Sequence, residues 1–152
     1  MYFGFYKEGT IHPLAAIRNG CWNAGNNKFN GNSVGVEISN AFYTKYQDWY
    51  EEPHVPRPII DDAVVHGKKL ETHLGFYPVQ IEALKALWGA VANACGIPLE
   101  APTKDGELDT GVNSEVASGK FEGFVNHYNI TNRKIDCAGL DLVKLLNEVK
   151  AD

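Results

Sequence analysis

The feature that most constrains this chain is a long amphipathic helix in its second half. Apolar residues recur at helical spacing from Val79 to Cys95, through Ile81, Leu84, Trp88 and Val91. Gly96 and Pro98 follow in the order that ends a helix. A second amphipathic helix is predicted over residues 140–149.

Short strands are predicted near the start of the chain. Residues 2–6 and 10–17 form a predicted hairpin. From 33 to 38 apolar and polar positions alternate, so the apolar side chains share one face and turn toward a core. Glu37 lies on the opposite face.

The remaining segments are less regular. Residues 41–77 are predicted to form an aromatic and proline-rich insertion, in which 59–65 is a short strand or a turn of helix. Residues 99–120 are polar and glycine-rich, which predicts a surface loop, and 121–127 are predicted to form a strand. Strands alternating with helices predict a single α/β or α+β domain, residues 1–152, with a mostly mixed central β-sheet flanked by helices.

Charge and hydropathy exclude several classes of function. The net charge of −5 argues against nucleic acid as a partner, because phosphates need a basic surface. No run of apolar residues approaches the length of a membrane span. The apolar start lacks a preceding basic region and ends at Lys7 and Glu8, so we expect cytoplasmic synthesis without a signal peptide.

The cysteines point away from a disulfide framework. Cys21, Cys95 and Cys137 are odd in number and widely spaced, which favours reduced thiols or a metal ligand.

One stretch carries residues suited to metal chemistry. His127 and Cys137 lie ten positions apart, and a loop between them can bring imidazole and thiolate together as Zn²⁺ ligands. Arg133 and Lys134 could lower the pKa of the thiol and stabilise an oxyanion. A structural histidine and a buried free cysteine are the alternative. Glu37 is either a solvent-facing strand residue or a general base at the rim of a cleft.

Several motifs, in order, resemble those of zinc-dependent N-acetylmuramoyl-L-alanine amidases, the type-2 amidase and peptidoglycan-recognition-protein fold. The matching segments are Gly9-Thr-Ile, Trp22-Asn-Ala-Gly, Asn32-Ser-Val-Gly-Val-Glu-Ile-Ser-Asn40, the helix that ends in Gly96-Ile-Pro, and Asp136-Cys-Ala-Gly139. The resemblance covers most of the chain outside 41–77 and 99–120.

The resemblance implies roles for particular residues. His127 and Cys137 would be zinc ligands, and Glu37 would be the general base that activates the attacking water. Lys134 would steady the oxyanion, although the family's basic residue usually lies two positions before the last ligand. Asp136 is the rival ligand, since it restores that Lys-x-Asp spacing.

Substrate contacts are implied for Trp22, Asn23 and Asn32. Asn23 replaces the histidine of the family's Trp-His-Ala-Gly motif. The family's first zinc ligand, a histidine on a strand before the hairpin, has no counterpart in this sequence, and His66 is a possible substitute.

The implied activity is Zn²⁺-dependent hydrolysis of the amide between N-acetylmuramic acid and L-alanine in peptidoglycan. The enzyme would be a bacterial or phage cell-wall lytic amidase, such as an endolysin, or a recycling amidase that acts on muropeptides. The alternatives are a peptidoglycan-binding module without catalysis, an inactive truncated amidase, and an interaction protein in which His127 and Cys137 are structural. The aromatic residues of 42–50 either pack locally or form a wall of the substrate groove.

Overall fold

The computed structural model describes residues 2–5, 8–16, 22, 24, 27–51 and 56–151. The elements follow in the order β1 (Tyr2–Phe5), β2 (Ile11–Ala15), α1 (Asn27–Asn30), β3 (Gly35–Ile38), a 3₁₀ turn (Thr44–Tyr46), α2 (Asp48–Glu51), β4 (Ile59–Ile60), β5 (Val64–Val65), β6 (Lys68–Lys69), β7 (His73–Leu74), α3 (Pro78–Cys95), β8 (Thr103–Lys104), β9 (Glu107–Leu108), α4 (Ser114–Ser118), α5 (His127–Ile130) and α6 (Leu142–Ala151).

A three-stranded mixed sheet in the order β2-β1-β3 lies at the start of the chain. β1 pairs antiparallel with β2, which confirms the predicted hairpin. β1 pairs parallel with β3, and Gly4 lies opposite Glu37 in that register. The side chain of Glu37 is exposed, while Val36 and Ile38 beside it pack on the core, as the alternating pattern predicts.

The main core joins this sheet to helices α3 and α6. Leu84 and Leu146, from the two helices, are each 1% exposed, and Phe3 of β1 belongs to the same cluster. Full burial of a leucine side chain contributes about 1.5–3 kcal/mol. The two predicted amphipathic helices are therefore confirmed, and they meet along their apolar stripes.

Helix α3 has well-defined ends. Pro78 occupies its first turn, where the missing N–H costs nothing. The Oε1 of Gln80 accepts from the backbone N–H of Tyr77 at 3.1 Å, which satisfies a donor at the start of the helix. Gly96 ends the helix with a φ of 68°, and its N–H donates to the carbonyl of Ala92.

The segment 41–77 is irregular but anchored. β4 pairs with β7 and β5 pairs with β6, so the alternative left open for 59–65 is decided in favour of short strands. Arg57 is 2% exposed and donates to the carbonyls of Ala41, Leu74 and Gly75. These bonds tie the start of the segment to β7.

Two predictions for the second half need correction. Residues 121–126 form no strand, and His127 begins helix α5 instead. The segment 99–120 contains the β8–β9 ribbon and α4, and it buries Pro102 and Val116. Its backbone and side chains pair with one another, as in the cap of α4 by Asn113, so this stretch is more structured than its polar composition indicates.

The chain thus has a mixed α/β fold with small mixed and two-stranded sheets. A central sheet flanked by helices, the finer prediction, is not confirmed within the described residues. Among the helices of that part of the chain, none combines the length and hydropathy needed to cross a bilayer.

Candidate active site

The site begins with two side chains that the structure brings together. The Nδ1 of His127 lies in hydrogen-bond contact with the Oδ2 of Asp136. This contact, more than any other influence, holds the pKa of the Asp136 carboxyl below its usual range. The two side chains are 31% and 49% exposed, so both remain accessible to a ligand from solvent.

Buried asparagines hold His127 in place. Asn126 precedes α5, and its backbone N–H donates to the Oδ1 of Asn129 at 3.0 Å. Asn129 is fully buried, and its Nδ2 donates to the carbonyls of Asp109 and Gly111 at 2.7 and 3.1 Å. Because buried donors and acceptors are costly to leave unpaired, this network fixes α5 against the 109–113 loop.

A second tether acts on the loop that carries Asp136. The Nε2 of His66 lies 3.0 Å from the carbonyl oxygen of Lys134, and the His66 ring meets the ring of Tyr128 edge-on at 6.5 Å. His66 therefore supports the loop from the β5–β6 turn, in a backbone conformation with a φ of 54°. This contact uses one of the two ring nitrogens, and a role for His66 as a substitute metal ligand stays a prediction.

Cys137 lies at the inner side of the same loop. Its side chain packs on the main core, and burial raises the pKa of its thiol to about 12, with further contributions from the negative charges of Asp136 and Glu37. Its backbone N–H points toward the Oδ1 of Asn126 at 3.4 Å. Without a bound cation this thiol is protonated at neutral pH, so it has no nucleophilic or thiolate character of its own.

Tyr128 separates the site from a neighbouring cavity. Its ring is buried, its hydroxyl oxygen accepts from the Nδ2 of Asn126 at 2.7 Å, and burial raises its pKa to about 12. Tyr128 and Ala138 line a cavity of about 720 Å³ that is bordered by Asp62, Asp141 and Lys144. The phenol is neutral at physiological pH and acts here as a structural group.

Glu37 and Lys134 provide charge around the pair. The negative charge of Glu37 contributes, after burial and the charge of Asp136, to the raised pKa of the Cys137 thiol. The ammonium of Lys134 contributes to the lowered pKa of Asp136. Both side chains are exposed.

The residues predicted to contact substrate are placed less fully. Trp22 is 79% exposed, and Asn32 is exposed in the turn after α1, where its N–H donates to the carbonyl of Phe29. Asn23 and Cys21 lie outside the described residues. The roles of Trp22, Asn23 and Asn32 stay predictions.

Metal ligands are present in part. Within the described ranges, no three histidine, cysteine, aspartate or glutamate side chains are grouped so that they could hold a metal ion. His127 and Asp136 supply two donors of the types that Zn²⁺ prefers.

Two structural groups were missed at the level of sequence. The amides of Asn40 and Gln80 bond each other twice, at 2.8 and 3.2 Å, and this joins the end of β3 to the start of α3. The Asn126–Asn129 pair was also missed. The sequence carries a signal for it, since polar residues three positions apart are typical of a helix start.

Comparison with known proteins identifies a family for this chain. The protein family described as N-acetylmuramoyl-L-alanine amidase matches residues 3–138, which include β1, β3 and the His127–Asp136 pair. Searches of curated proteins and of solved structures gave no match. The family implies action on peptidoglycan, the polymer of the cell wall, through hydrolysis of an amide. Because the match covers most of its length, this chain belongs to the N-acetylmuramoyl-L-alanine amidase family.

Proposed function

We propose that this chain hydrolyses the amide bond between N-acetylmuramic acid and L-alanine in peptidoglycan, with Zn²⁺ as its cofactor. The observation that carries the proposal is the contact between His127 and Asp136 at a solvent-accessible position in an amidase domain. The two possible metal-ligating side chains meet there, one from α5 and one from the loop that follows it.

The chemistry of the donors fits zinc. Imidazole nitrogen and carboxylate oxygen are both common Zn²⁺ ligands, and an open site needs one further protein ligand. His127 and Asp136 would hold the ion, and a bound Zn²⁺ supplies Lewis-acid polarisation of the scissile carbonyl.

The geometry favours Asp136 over Cys137 as the ligand beside His127. The Asp136 carboxyl already contacts the imidazole, and this contact lowers its pKa. The thiol of Cys137, by contrast, packs on the core. Asp136 also gives the Lys-x-Asp spacing, so Lys134 takes the position expected for an oxyanion-stabilising cation.

Glu37 is proposed as the general base. Its exposed carboxylate projects from β3, and its negative charge contributes to the raised pKa of the Cys137 thiol in the 131–139 loop. There it would accept a proton from the attacking water and return it to the leaving amine. Lys134 would balance the negative charge that develops on the carbonyl oxygen.

The ligand assignment is tested by zinc stoichiometry in a pair of adjacent variants. We expect Asp136→Ala to lower the zinc content and the zinc affinity at least about tenfold, while Cys137→Ser keeps both. Thermal unfolding with and without chelator controls for misfolding. The opposite ranking would establish Cys137 as the ligand.

The general base is tested with Glu37→Gln, which keeps size and polarity. Hydrolysis of soluble muropeptides and of intact cell wall should each fall by about 10²–10⁴-fold with zinc content unchanged. Comparing the two substrates in the wild type separates a recycling amidase from a lytic one. Full activity in Glu37→Gln would remove this residue from the mechanism.

A non-catalytic peptidoglycan-binding module is the second candidate, because the described residues hold only two grouped donors. It predicts that the wild-type chain sediments with cell wall yet releases no stem peptide at any zinc concentration. Release of peptide with a free N-terminal alanine would exclude it.

A further inference from the structure

The segment after β3 presents aromatic rings to solvent. Tyr43 and Trp49 are 49% and 73% exposed. The rings of Tyr46 and Trp49 lie 4.6 Å apart at a tilt of 41°, and the ring of Tyr43 lies 6.4 Å from that of Tyr46. Tyr43, Tyr46 and Trp49 thus form a continuous surface, which we call the aromatic ledge. Contiguous apolar surface that is exposed to solvent often marks a binding site.

The ledge stands on a fixed support. Phe42, just before it, stacks on the buried ring of His73 at 4.4 Å, and its carbonyl accepts from the N–H of Leu74 at 2.9 Å. Gln47, within the ledge segment, donates from its Nε2 to the carbonyl of Arg57 at 2.8 Å. A ring surface held in this way loses little conformational freedom when a ligand binds.

The chemistry of the ledge suits a chain of amino sugars. Pyranose rings present flat C–H faces with hydroxyl groups at their edges, and these faces match the apolar body and polar tip of Tyr and Trp. Lys45 places its Nζ 5.5 and 5.0 Å from the ring centres of Tyr43 and Tyr46. Its charge complements the lactyl carboxylate that muramic acid carries once its peptide is removed.

The ledge follows the proposed base after a short stretch of chain. Tyr43 follows Glu37 by six residues, so their Cα atoms lie within roughly 20 Å even in extended chain. We propose that the aromatic ledge is a binding site for the glycan strand of peptidoglycan. This deepens the proposed function and rests on it for the identity of the polymer.

The test measures binding without turnover. Full-length wild type, Trp49→Ala, Trp49→Phe and Lys45→Gln are titrated with peptide-free glycan strands and, separately, with free stem peptide. We expect Trp49→Ala to weaken glycan binding about three- to tenfold and Trp49→Phe to recover much of the loss. Lys45→Gln should weaken glycan binding about two- to threefold, and more at low salt.

Leu14→Ala is the matched control. Leu14 lies on β2 and is 59% exposed, so this variant removes a comparable apolar side chain outside the ledge and should leave glycan binding unchanged. Thermal unfolding of each variant identifies any that misfold. Equal glycan binding by Trp49→Ala and wild type, or weakening confined to the stem peptide, overturns the proposal. If the wild type bound glycan through Trp49 but hydrolysed no amide, the proposed function would be refuted and the proposal for the ledge would stand.

Discussion

Two irregular regions of this molecule are held by buried polar side chains, and they differ in how many residues supply the hydrogen bonds. In the region that carries the aromatic ledge, Arg57 donates to the carbonyls of Ala41, Leu74 and Gly75. In the region that carries His127, the neutral amide of Asn129 donates to two carbonyls, with Asn126 as its neighbour in the network. In the first region the stabilising bonds come from one charged residue. In the second region they come from two amide side chains that lie next to the candidate site.

The largest loss of stability is expected when Arg57, the charged anchor, is replaced. Arg57→Leu should lower the free energy of unfolding by about 3–5 kcal/mol, because several carbonyls lose a charged donor while remaining buried. Denaturant titration measures the loss. Arg57→Lys, which keeps the charge but has fewer donors, should fall between leucine and wild type. If the free energy of unfolding of Arg57→Leu fell by less than about 1 kcal/mol, Arg57 would not be the residue that stabilises its region.

The second effect tests the amide network next to the site. Asn129→Leu should cost about 2–4 kcal/mol and should also weaken zinc binding, because α5 and His127 lose their support. Both are measured on the same preparation, by denaturant titration and metal analysis.

Asn113→Ala is the control in the same region. Asn113 caps α4 by accepting from the N–H groups of Glu115 and Val116, and its Nδ2 donates to Asp109, so its loss should cost about 0.5–2 kcal/mol and weaken zinc binding less than Asn129→Leu does. If Asn129→Leu lost stability but kept its zinc affinity, the network would serve the fold alone.

A third experiment asks how strongly the paired amides of Asn40 and Gln80 join the end of β3 to the start of α3, as a neutral contrast to Arg57. Each leucine variant alone should cost about 1–3 kcal/mol, since each removes both bonds between the amides and Gln80→Leu also removes the acceptor of the Tyr77 N–H. The double variant should cost less than the sum of the two, and the difference is the coupling energy. Additive losses would indicate that the amides act independently of each other.

The regular elements could be predicted because their information is local. The spacing of Leu84 and Trp88 predicted α3, and alternation around Glu37 predicted β3 with its buried and exposed faces. The prediction failed for 121–127, where an apolar stretch indicated a strand. A strand needs a partner, and in the structure this stretch leads into a helix that starts after Asn126.

The candidate site could be predicted by residue but not by orientation. The sequence indicated that His127 would converge with the loop ending at Cys137, and the structure brings it to Asp136, one position earlier. Adjacent residues differ only in the direction of their side chains, which the local pattern does not encode. The role of Arg57 was equally hidden, because an arginine between two prolines is typically exposed.

The smallest expected effect comes from a partly buried ion pair, which serves as a reference for the fully buried anchors. Lys85 of α3 lies 2.9 Å from Glu148 of α6, an interaction that lowers the pKa of Glu148 and, together with Glu82, raises that of Lys85. Stability from Glu148 is therefore present above its unfolded pKa of about 4.3 and is lost as pH falls through its lower folded value. The contribution of Lys85 is lost as pH rises through its raised folded pKa. Glu148→Gln should be slightly less stable than wild type at pH 7 in low salt, and equally stable at high salt or well below the folded pKa of Glu148. A difference that persists in strong acid would show that Glu148 acts through packing, and the contrast with Arg57 would then be one of burial alone.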